Sequence, residues 1–177
     1  MAQKALFLDR DGIVNIDHGY VSKIEDFEFT EGIFDLLKLF HKKGYQLFVV
    51  TNQSGIGRGY YTQEAFFNLT EWMVSEFKKR DIEIVSVHHC PHAPEVNCNC
   101  RKPKTGMIDE ILSQNEIDLE NSWMIGDKQS DINLAKNSKI KHTIAIGERK
   151  IENATYSFKT ILECKLFLEE NQAIIST

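Results

Sequence analysis

The sequence predicts an α/β protein: a three-layer, Rossmann-like parallel sheet with helices on both faces. Short apolar runs of strand character recur along the chain, and the longer segments between them carry helical periodicity. At 177 residues with 42% hydrophobic content, the chain has the size of one compact domain. We therefore expect residues 1–177 to form a single domain.

The predicted strands are spaced widely enough for a helix to fit between them. They cover residues 5–8, 46–50, 84–88, 122–125 and 142–146. Strands joined by crossovers of this length pair in parallel, and the carboxyl ends of parallel strands line one crevice where ligands bind. Polar clusters follow the first four strands, so the sequence predicts a functional site at that edge.

Helical periodicity is clearest in two segments, each with one apolar stripe that we expect to pack in the core. The stripes are Ile33, Leu36, Leu37 and Phe40 in residues 32–43, and Phe66, Leu69, Met73 and Phe77 in residues 62–79. Shorter helices are predicted over residues 131–137 and 158–168, with Cys164 as a packing residue of the last helix.

Charge and composition argue against several classes of protein. The net charge of −5 and the pI of 5.7 provide no overall basic field for nucleic acid or an anionic membrane, whereas small anions remain plausible ligands. Residues 1–4 lead into the first strand without a hydrophobic signal segment, and no apolar stretch reaches the roughly 18 residues of a membrane span. We expect a cytoplasmic protein without a membrane partner and, without an obvious exposed apolar helix, a monomer.

Asp9 and Asp11 lie two positions apart, directly after the first strand. Side chains two apart in a strand share a face, and Gly12 allows a sharp turn beyond them. One carboxylate can attack phosphorus while the other transfers a proton, which suits covalent phosphoryl transfer. Asp-x-Asp-Gly also occurs in ordinary turns and in calcium loops, although a calcium loop would need oxygen ligands where Ile13 and Val14 stand.

The second strand leads into a polar segment followed by a glycine-rich loop at residues 55–59. Its hydroxyl, amide and backbone N–H groups could hold phosphate oxygens, and a turn or helix cap is the alternative. Arg58 in the loop could pair with a second anionic group or a sugar hydroxyl. The polar segment consists of Thr51, Asn52, Gln53 and Ser54.

Asp127 follows the fourth strand, and Asp131 lies one helical turn further along. Asp131 is expected to be a favourable charge at a helix N-terminus. Asp127, beside Asp9 and Asp11, predicts a Mg²⁺ site, because this hard cation takes one or two carboxylates together with the substrate phosphate. The ion would also reduce the repulsion between carboxylate and phosphate.

Three thiols and an imidazole fall within the loop at residues 90–100. They are Cys90, His92, Cys98 and Cys100. This set suits a closed tetrahedral zinc site, and four protein ligands leave no open position, so the ion would be structural. A redox pair or unrelated thiols are the alternatives, but the chain has no Cys-x-x-Cys motif.

The most concentrated basic run of the chain, residues 101–104, follows this loop directly. A solvated charge run is the ordinary explanation. Because the run is tethered to a metal loop at the carboxyl edge of the sheet, we favour Lys102 as the cation that neutralises transferred phosphate. Arg101 would then clamp the substrate through two parallel hydrogen bonds.

In chain order, these motifs resemble those of the haloacid dehalogenase superfamily of phosphohydrolases. They are Asp9-x-Asp11-Gly12, Thr51-Asn52, Lys102 and Gly126-Asp127-x-x-x-Asp131. Within the superfamily, residues 17–21, 51–59, the zinc loop and Lys128 are similar to the heptose 1,7-bisphosphate 7-phosphatase branch. Histidinol-phosphate phosphatases form a sibling branch with the same zinc loop, and the spacing from His92 to Cys98 is closer to theirs.

The resemblance implies a magnesium-dependent sugar phosphatase with a structural zinc ion, acting in the synthesis of nucleotide-activated heptose. It implies catalytic roles for Asp9, Asp11, Thr51 and Lys102, and magnesium binding by Asp9, Asp11 and Asp127. The substrate contacts it implies are Asp17, His18, Gly19, Tyr20, Thr51, Asn52, Gln53, Ser54, Arg58, Arg101, Lys102 and Lys128.

The chain departs from the usual pattern at Ile13, where the superfamily usually has Thr. The segments after Asp11 and Thr51 are too short for a separate cap domain, so specificity would fall to residues 17–21, the 55–59 loop and the zinc loop. Two hypotheses from other functional classes remain. One is a zinc-stabilised nucleic-acid-binding module, which the acidic net charge argues against, and the other is a catalytically inactive regulatory homologue.

Overall fold

A six-stranded parallel sheet organises the chain, for which the computed structural model describes residues 1–176. The strands are β1 (Ala5–Leu8), β2 (Gln46–Asn52), β3 (Ile84–Cys90), β4 (Trp123–Gly126), β5 (His142–Ile146) and β6 (Tyr156–Phe158). Their order in the sheet is β3-β2-β1-β4-β5-β6. From β1, the chain adds β2 and β3 on one side and then β4, β5 and β6 on the other. This reversal opens a crevice beyond the carboxyl ends of the central strands.

Helices cover both faces of the sheet. They are α1 (Ile33–Lys42), α2 (Ser54–Gly57), α3 (Gln63–Lys78), α4 (Gly106–Gln114), α5 (Gln129–Asn137) and α6 (Ile161–Glu170). Short 3₁₀ turns occur at Ile24–Asp26, Leu119–Asn121 and Gln172–Ile175. Among residues 1–176, every strand belongs to the one sheet, and the connections after β1 and β2 carry no second sheet that could form a cap.

Alternation along β1 feeds two hydrophobic cores. Leu6 and Leu8 pack on the face covered by α1, α3 and α6, whereas Ala5 and Phe7 pack on the face covered by α4 and α5. Every residue of the two stripes predicted for α1 and α3 is buried, and all of them except Phe66 pack in the first core, together with Cys164 of α6. Full burial of one such side chain contributes about 1.5–3 kcal/mol, so these stripes fix the helices against the sheet.

The fold class is confirmed, and the differences lie at element boundaries and in short elements. Thr51 and Asn52 are the last residues of β2 rather than the first of a loop, because they pair with His89 and Cys90 of β3. The pairing extends both strands beyond their apolar runs. Sequence reasoning also missed β6, an edge strand of three residues, and the short helices α2 and α4.

None of the helices in residues 1–176 combines the length and the apolar composition that a membrane-spanning helix requires.

The packing of α6 is testable with two leucines of that helix. Leu168 is fully buried in the first core, whereas Leu166 is 48% exposed. Leu168→Ala should lower the free energy of unfolding by about 2–5 kcal/mol, through lost burial and the cavity left behind. Leu166→Ala should lower it by less than about 1 kcal/mol. Urea denaturation measures both, and equal losses would contradict the placement of α6 on the sheet.

Candidate active site

Asp9 and Asp11 lie at the carboxyl end of β1. The backbone N–H of Asp9 still pairs with Ile125 of β4 at 3.1 Å, so the strand holds this residue firmly. Gly12 has a φ of +88°, and a Cβ at this position would collide with the Asp127 carboxylate. Glycine at position 12 is therefore needed both for the turn and for the approach of Asp127.

Lys102 reaches into the same place from the segment after the cysteine loop, and its side chain is buried. Its ammonium nitrogen lies 3.0 Å from Asp9 Oδ1 and 2.7 Å from Asp131 Oδ1, and it donates to the Val50 carbonyl at 2.9 Å. Burial alone would lower the pKa of Lys102, but the two carboxylates raise it above its usual value. The ammonium group therefore stays charged.

Asn52 holds the backbone of Lys102 in place. Its side-chain Oδ1 accepts a hydrogen bond of 3.0 Å from the Lys102 N–H. The polar end of β2 thus positions the lysine as well as facing the crevice.

Three carboxylates crowd around one point at this edge of the sheet. One oxygen from each of Asp9, Asp127 and Asp131 lies within 4.8 Å of the others, and all three residues are buried. Burial raises the pKa of Asp9; Lys102 lowers it, and the neighbouring carboxylates raise it further. Burial also raises the pKa of Asp127. Lys102 and Arg149 bring two positive charges into contact with these three carboxylates, so the charge of the cluster is not fully compensated.

The cluster fits a divalent cation. The Oδ1 atom of Asp127 is buried without a hydrogen-bond partner among the described residues, which is costly for a carboxylate. Its other oxygen, Oδ2, accepts a hydrogen bond of 3.1 Å from Arg149, which sequence reasoning did not single out. Hard oxygen ligands left unpaired beside further carboxylates are what Mg²⁺ binds. Asp9 and Asp127 are the residues that would hold the ion.

Asp131 does more than was expected of a charge at a helix N-terminus. Its Oδ2 accepts from the Lys128 N–H at 3.1 Å, as a capping residue does, while its Oδ1 pairs with Lys102. A side chain at Gly126 would collide with Asp131, which explains the small residue there. The spacing Gly126-Asp127-x-x-x-Asp131 singled out Asp131 in the sequence, but only the fold shows that it pairs with Lys102.

Asp11 is held by three donors. Its Oδ1 accepts from Arg10 Nη2 at 2.8 Å and Asn15 Nδ2 at 3.0 Å, and its Oδ2 accepts from Gln53 Nε2 at 3.0 Å. Arg10 is fully buried and also donates to the Val21 carbonyl at 2.7 Å. Sequence reasoning missed Arg10, since nothing in the pattern Asp-x-Asp shows that the middle residue turns inward.

A pocket of about 410 Å³ opens above these groups. It brings together most of the residues predicted to contact substrate. Its lining consists of Asp11, Asp17, Gly19, Tyr20, Asn52, Gln53, Ser54, Tyr61, Arg101, Lys102, Lys128 and Ser130. Tyr61 and Ser130 were not predicted. The Nη1 atom of Arg101 is buried without a hydrogen-bond partner among the described residues, so this guanidinium has a donor left for a ligand.

Three predicted substrate residues lie outside that lining. Thr51 is buried beneath it, where its hydroxyl accepts from Gln53 Nε2 at 2.8 Å. The His18 ring is half exposed, lies 3.0 Å from Glu28 and lines a neighbouring hollow. Arg58 is exposed at the end of α2. The substrate roles of His18 and Arg58 stay predictions.

The predicted zinc ligands converge in the loop after β3. Cys90 Sγ lies 3.6 Å from Cys98 Sγ and 3.5 Å from His92 Nδ1, and Cys100 Sγ lies 3.3 Å from the same nitrogen. Ligand atoms of a tetrahedral site with bonds of about 2.3 Å are roughly 3.8 Å apart, so the cluster fits a zinc ion. All four residues approach one point, and the chain has no disulfide among them.

The sequence matches a family model over most of its length. Residues 7–160 match the model described as polynucleotide kinase 3 phosphatase. The chain belongs to this family. Membership of the haloacid dehalogenase superfamily, predicted from the four motifs, is thereby confirmed.

Two relatives are similar to this chain over nearly their whole length. The D-glycero-alpha-D-manno-heptose-1,7-bisphosphate 7-phosphatase of Campylobacter jejuni is 47% identical over 171 residues, which cover 96% of this chain and 98% of the relative. The D-glycero-beta-D-manno-heptose-1,7-bisphosphate 7-phosphatase of Helicobacter pylori is 48% identical over 167 residues, 94% of either chain. The predicted resemblance to this branch is confirmed.

A solved structure shares the fold. The D,D-heptose 1,7-bisphosphate phosphatase from B. bronchiseptica, complexed with magnesium and phosphate, superposes with a TM-score of 0.81 at 22% sequence identity. The superposition covers 95% of this chain and 99% of the other.

Magnesium binding is testable by its effect on stability. Mg²⁺ at about 100 times its dissociation constant should raise the free energy of unfolding by about 2.7 kcal/mol. Asp127→Asn should remove most of that gain, whereas Glu120→Gln, at an exposed carboxylate, should leave it unchanged. Denaturant unfolding with and without Mg²⁺ measures the effect.

The gain should also depend on pH. In the folded protein the pKa values of Asp9 and Asp127 lie above those of the unfolded chain. The metal-free protein therefore loses stability as the pH rises from the unfolded-state pKa to the folded-state pKa of these groups. Mg²⁺ binds the ionised groups, so its effect should be larger at about pH 8 than at about pH 5. A Mg²⁺ effect that is the same in Asp127→Asn would place the ion elsewhere.

The cysteine cluster predicts about one zinc ion per purified chain, measurable by elemental analysis. Cys98→Ser should lose the metal and destabilise the protein by several kcal/mol, because metal binding contributes directly to folding. Cys164→Ala, at the buried cysteine of α6, is the matched control and should keep the zinc. Equal zinc content in Cys98→Ser and the wild type would exclude Cys98 as a ligand.

Proposed function

We propose that the chain is a magnesium-dependent phosphatase that removes the 7-phosphate of D-glycero-D-manno-heptose 1,7-bisphosphate through an aspartyl-phosphate intermediate. The placement of Asp9 carries most of the support: its carboxylate lies 3.0 Å from the Lys102 ammonium, beside Asp127, behind a pocket lined by Asp11. The similarity to phosphatases of heptose bisphosphate over nearly the whole chain supports the reaction and the substrate class.

In the first step, a carboxylate oxygen of Asp9 attacks phosphorus in line with the ester bond. The bond between phosphorus and the sugar oxygen breaks, and Asp11 donates a proton to that oxygen, so the sugar leaves as an alcohol. Lys102 and the Thr51 hydroxyl stabilise the charge on the transferred group. The phosphoryl group is then bound to Asp9 as an acyl phosphate.

In the second step, Asp11 accepts a proton from a water molecule that attacks the phosphorus of the intermediate. The bond from phosphorus to Asp9 breaks, which releases inorganic phosphate and regenerates both carboxyl groups in their starting states. A magnesium ion, when bound, supplies positive charge that lets the anionic phosphate approach Asp9. The predicted part of Asp11 in holding the ion remains a proposal.

The rim of the pocket supports a substrate with a second anionic group. Arg101 has an unpaired donor, and Lys128 adds a second cation. Asp17 and Asn52 offer oxygen and amide groups for sugar hydroxyls. The two relatives are named for opposite anomers, and the anomeric carbon lies at the far end of the sugar from the reacting phosphate. We therefore propose that both anomers are hydrolysed.

The remaining features of the proposal concern the protein's setting. We propose that it acts in the cytoplasm, in the formation of nucleotide-activated heptose, as a monomer of one domain over residues 1–177 that does not bind nucleic acid. Cysteine ligands without disulfides suit a reducing compartment. The structural zinc ion belongs to the same proposal.

Asp9→Asn tests the nucleophile. Phosphate release should fall by a factor of about 10³ or more, because the amide cannot form the intermediate. Asp35→Asn, at an exposed carboxylate of α1, should keep the wild-type rate. Phosphate release is measured with Mg²⁺ on both anomers of the heptose bisphosphate and on histidinol phosphate, with circular dichroism as the check of folding. Retained turnover in Asp9→Asn would exclude this nucleophile, and a preference for histidinol phosphate would overturn the substrate assignment.

A further inference from the structure

We propose that Tyr61 is a positioning residue that acts through Gln53 on both Asp11 and Thr51. The inference rests on the proposed function, since it concerns the proton-transfer carboxylate and the phosphate-binding hydroxyl of that site. Tyr61 lies outside the motifs that carry the family resemblance, in the segment between α2 and α3.

The side-chain amide of Gln53 is the centre of a branched hydrogen-bond network. Its Oε1 accepts from the Tyr61 hydroxyl at 2.5 Å, and its Nε2 donates to Asp11 Oδ2 at 3.0 Å and to Thr51 Oγ1 at 2.8 Å. Gln53 is 2% exposed, so water does not substitute for these partners. Both amide hydrogens are used, and the amide oxygen has a strong donor.

The chemistry of the partners fixes the direction of each bond. In the ionised form that accepts a proton from water in the second step, Asp11 only accepts hydrogen bonds, so the NH₂ group of Gln53 faces it in that form. Burial raises the pKa of Tyr61 to about 12, so its hydroxyl keeps the proton at neutral pH and can donate to the amide oxygen. Tyr61 therefore stabilises the orientation of the amide that directs N–H groups toward the reaction.

This orientation determines the role of the Thr51 hydroxyl. Because Thr51 Oγ1 already accepts a hydrogen from Gln53, its own hydrogen remains free to be donated. A phosphate oxygen in the pocket is the acceptor that the proposed reaction provides. If the amide turned over, the Thr51 hydroxyl would donate to the amide oxygen and be lost to the phosphate.

The same orientation leaves one oxygen of Asp11 free for proton transfer. Oδ1 accepts from both Arg10 and Asn15, whereas Oδ2 accepts from Gln53 alone within residues 1–176 and keeps a lone pair. With the amide turned over, Oε1 would face Oδ2 and bind the proton of the acid form. The proton would then point away from the leaving sugar oxygen.

The Tyr61 ring is fixed by close packing. A Cβ at Gly55 would collide with the ring, so the first turn of α2 lies directly against it. Thr62 follows as the N-cap of α3, with its side chain accepting from Ala65 N–H at 3.0 Å. The N-termini of α2 and α3 thus fix the direction of the Tyr61 hydroxyl. Its position therefore could not be derived from the local sequence.

Tyr61→Phe is the principal test, because it removes the hydroxyl and retains the ring. With Mg²⁺ and heptose bisphosphate, kcat should fall about tenfold, while KM rises by no more than the roughly fivefold that loss of the Thr51 contact to phosphate accounts for. Tyr156→Phe, at a half-buried tyrosine of β6, is the matched control and should change neither constant. A rise in KM with unchanged kcat would make Tyr61 a substrate contact and overturn the inference, as would wild-type constants in Tyr61→Phe.

A double-mutant cycle tests whether Tyr61 acts through the amide. In the Gln53→Ala background, Tyr61→Phe should change kcat by less than about twofold, since the group that Tyr61 orients is gone. The same tenfold loss in both backgrounds would show independent action and overturn the inference. Urea denaturation of each variant identifies any loss that comes from unfolding.

Binding of inorganic phosphate separates this inference from the proposed function. With Mg²⁺ present, calorimetry should give a dissociation constant for phosphate about fivefold higher in Tyr61→Phe than in wild type and Tyr156→Phe, because Thr51 no longer keeps its hydrogen for the ligand. An unchanged constant overturns the inference, whatever the substrate. A wild-type protein that binds phosphate in this Tyr61-dependent way but fails to hydrolyse heptose bisphosphate would overturn the proposed function and support the positioning role.

Discussion

The ammonium group of Lys102 lies buried between the carboxylates of Asp9 and Asp131, and this contact joins three parts of the chain. Asp9 comes from the end of β1, Asp131 from the first turn of α5, and Lys102 from the segment that follows the cysteine loop. Burying charges is costly unless they are paired, so the three segments are held together by the need to neutralise one another. The sheet is rigid, and the ion pairs fix the positions of these three segments relative to one another.

Elements with a strong local signal were predictable from the sequence. The apolar runs gave β1 and β5 with their observed limits, and the stripes of α1 and α3 named the side chains that are buried. The three residues of β6 carry too little pattern, and their pairing depends on β5. In β2, Thr51 and Asn52 read as loop residues because hydrogen bonding to β3, rather than hydrophobicity, keeps them in the strand.

The candidate site divides in the same way. Residues with reactive groups after strands, such as Asp9 and Asp127, were identified because the topology of a parallel sheet collects them at one edge. Arg149 contacts Asp127, and Tyr61 contacts Gln53, from other segments of the chain. Arg10 contacts its neighbour Asp11 because its buried side chain turns inward, and no spacing in the sequence encodes any of these three contacts. The polar partners of a reactive group are therefore the part of a site that most needs coordinates.

Cys100 is two residues from Lys102, and this short tether has a consequence for the protein in its cell. If its thiol is bound to zinc, the backbone that aims the ammonium group is anchored by a bond that oxidants and chelators can break. Damage at the sulfur atoms would then release the lysine from its carboxylates without touching a reacting atom. The capacity of the chain to handle phosphate would thus follow the supply of zinc and the thiol-reducing power around it.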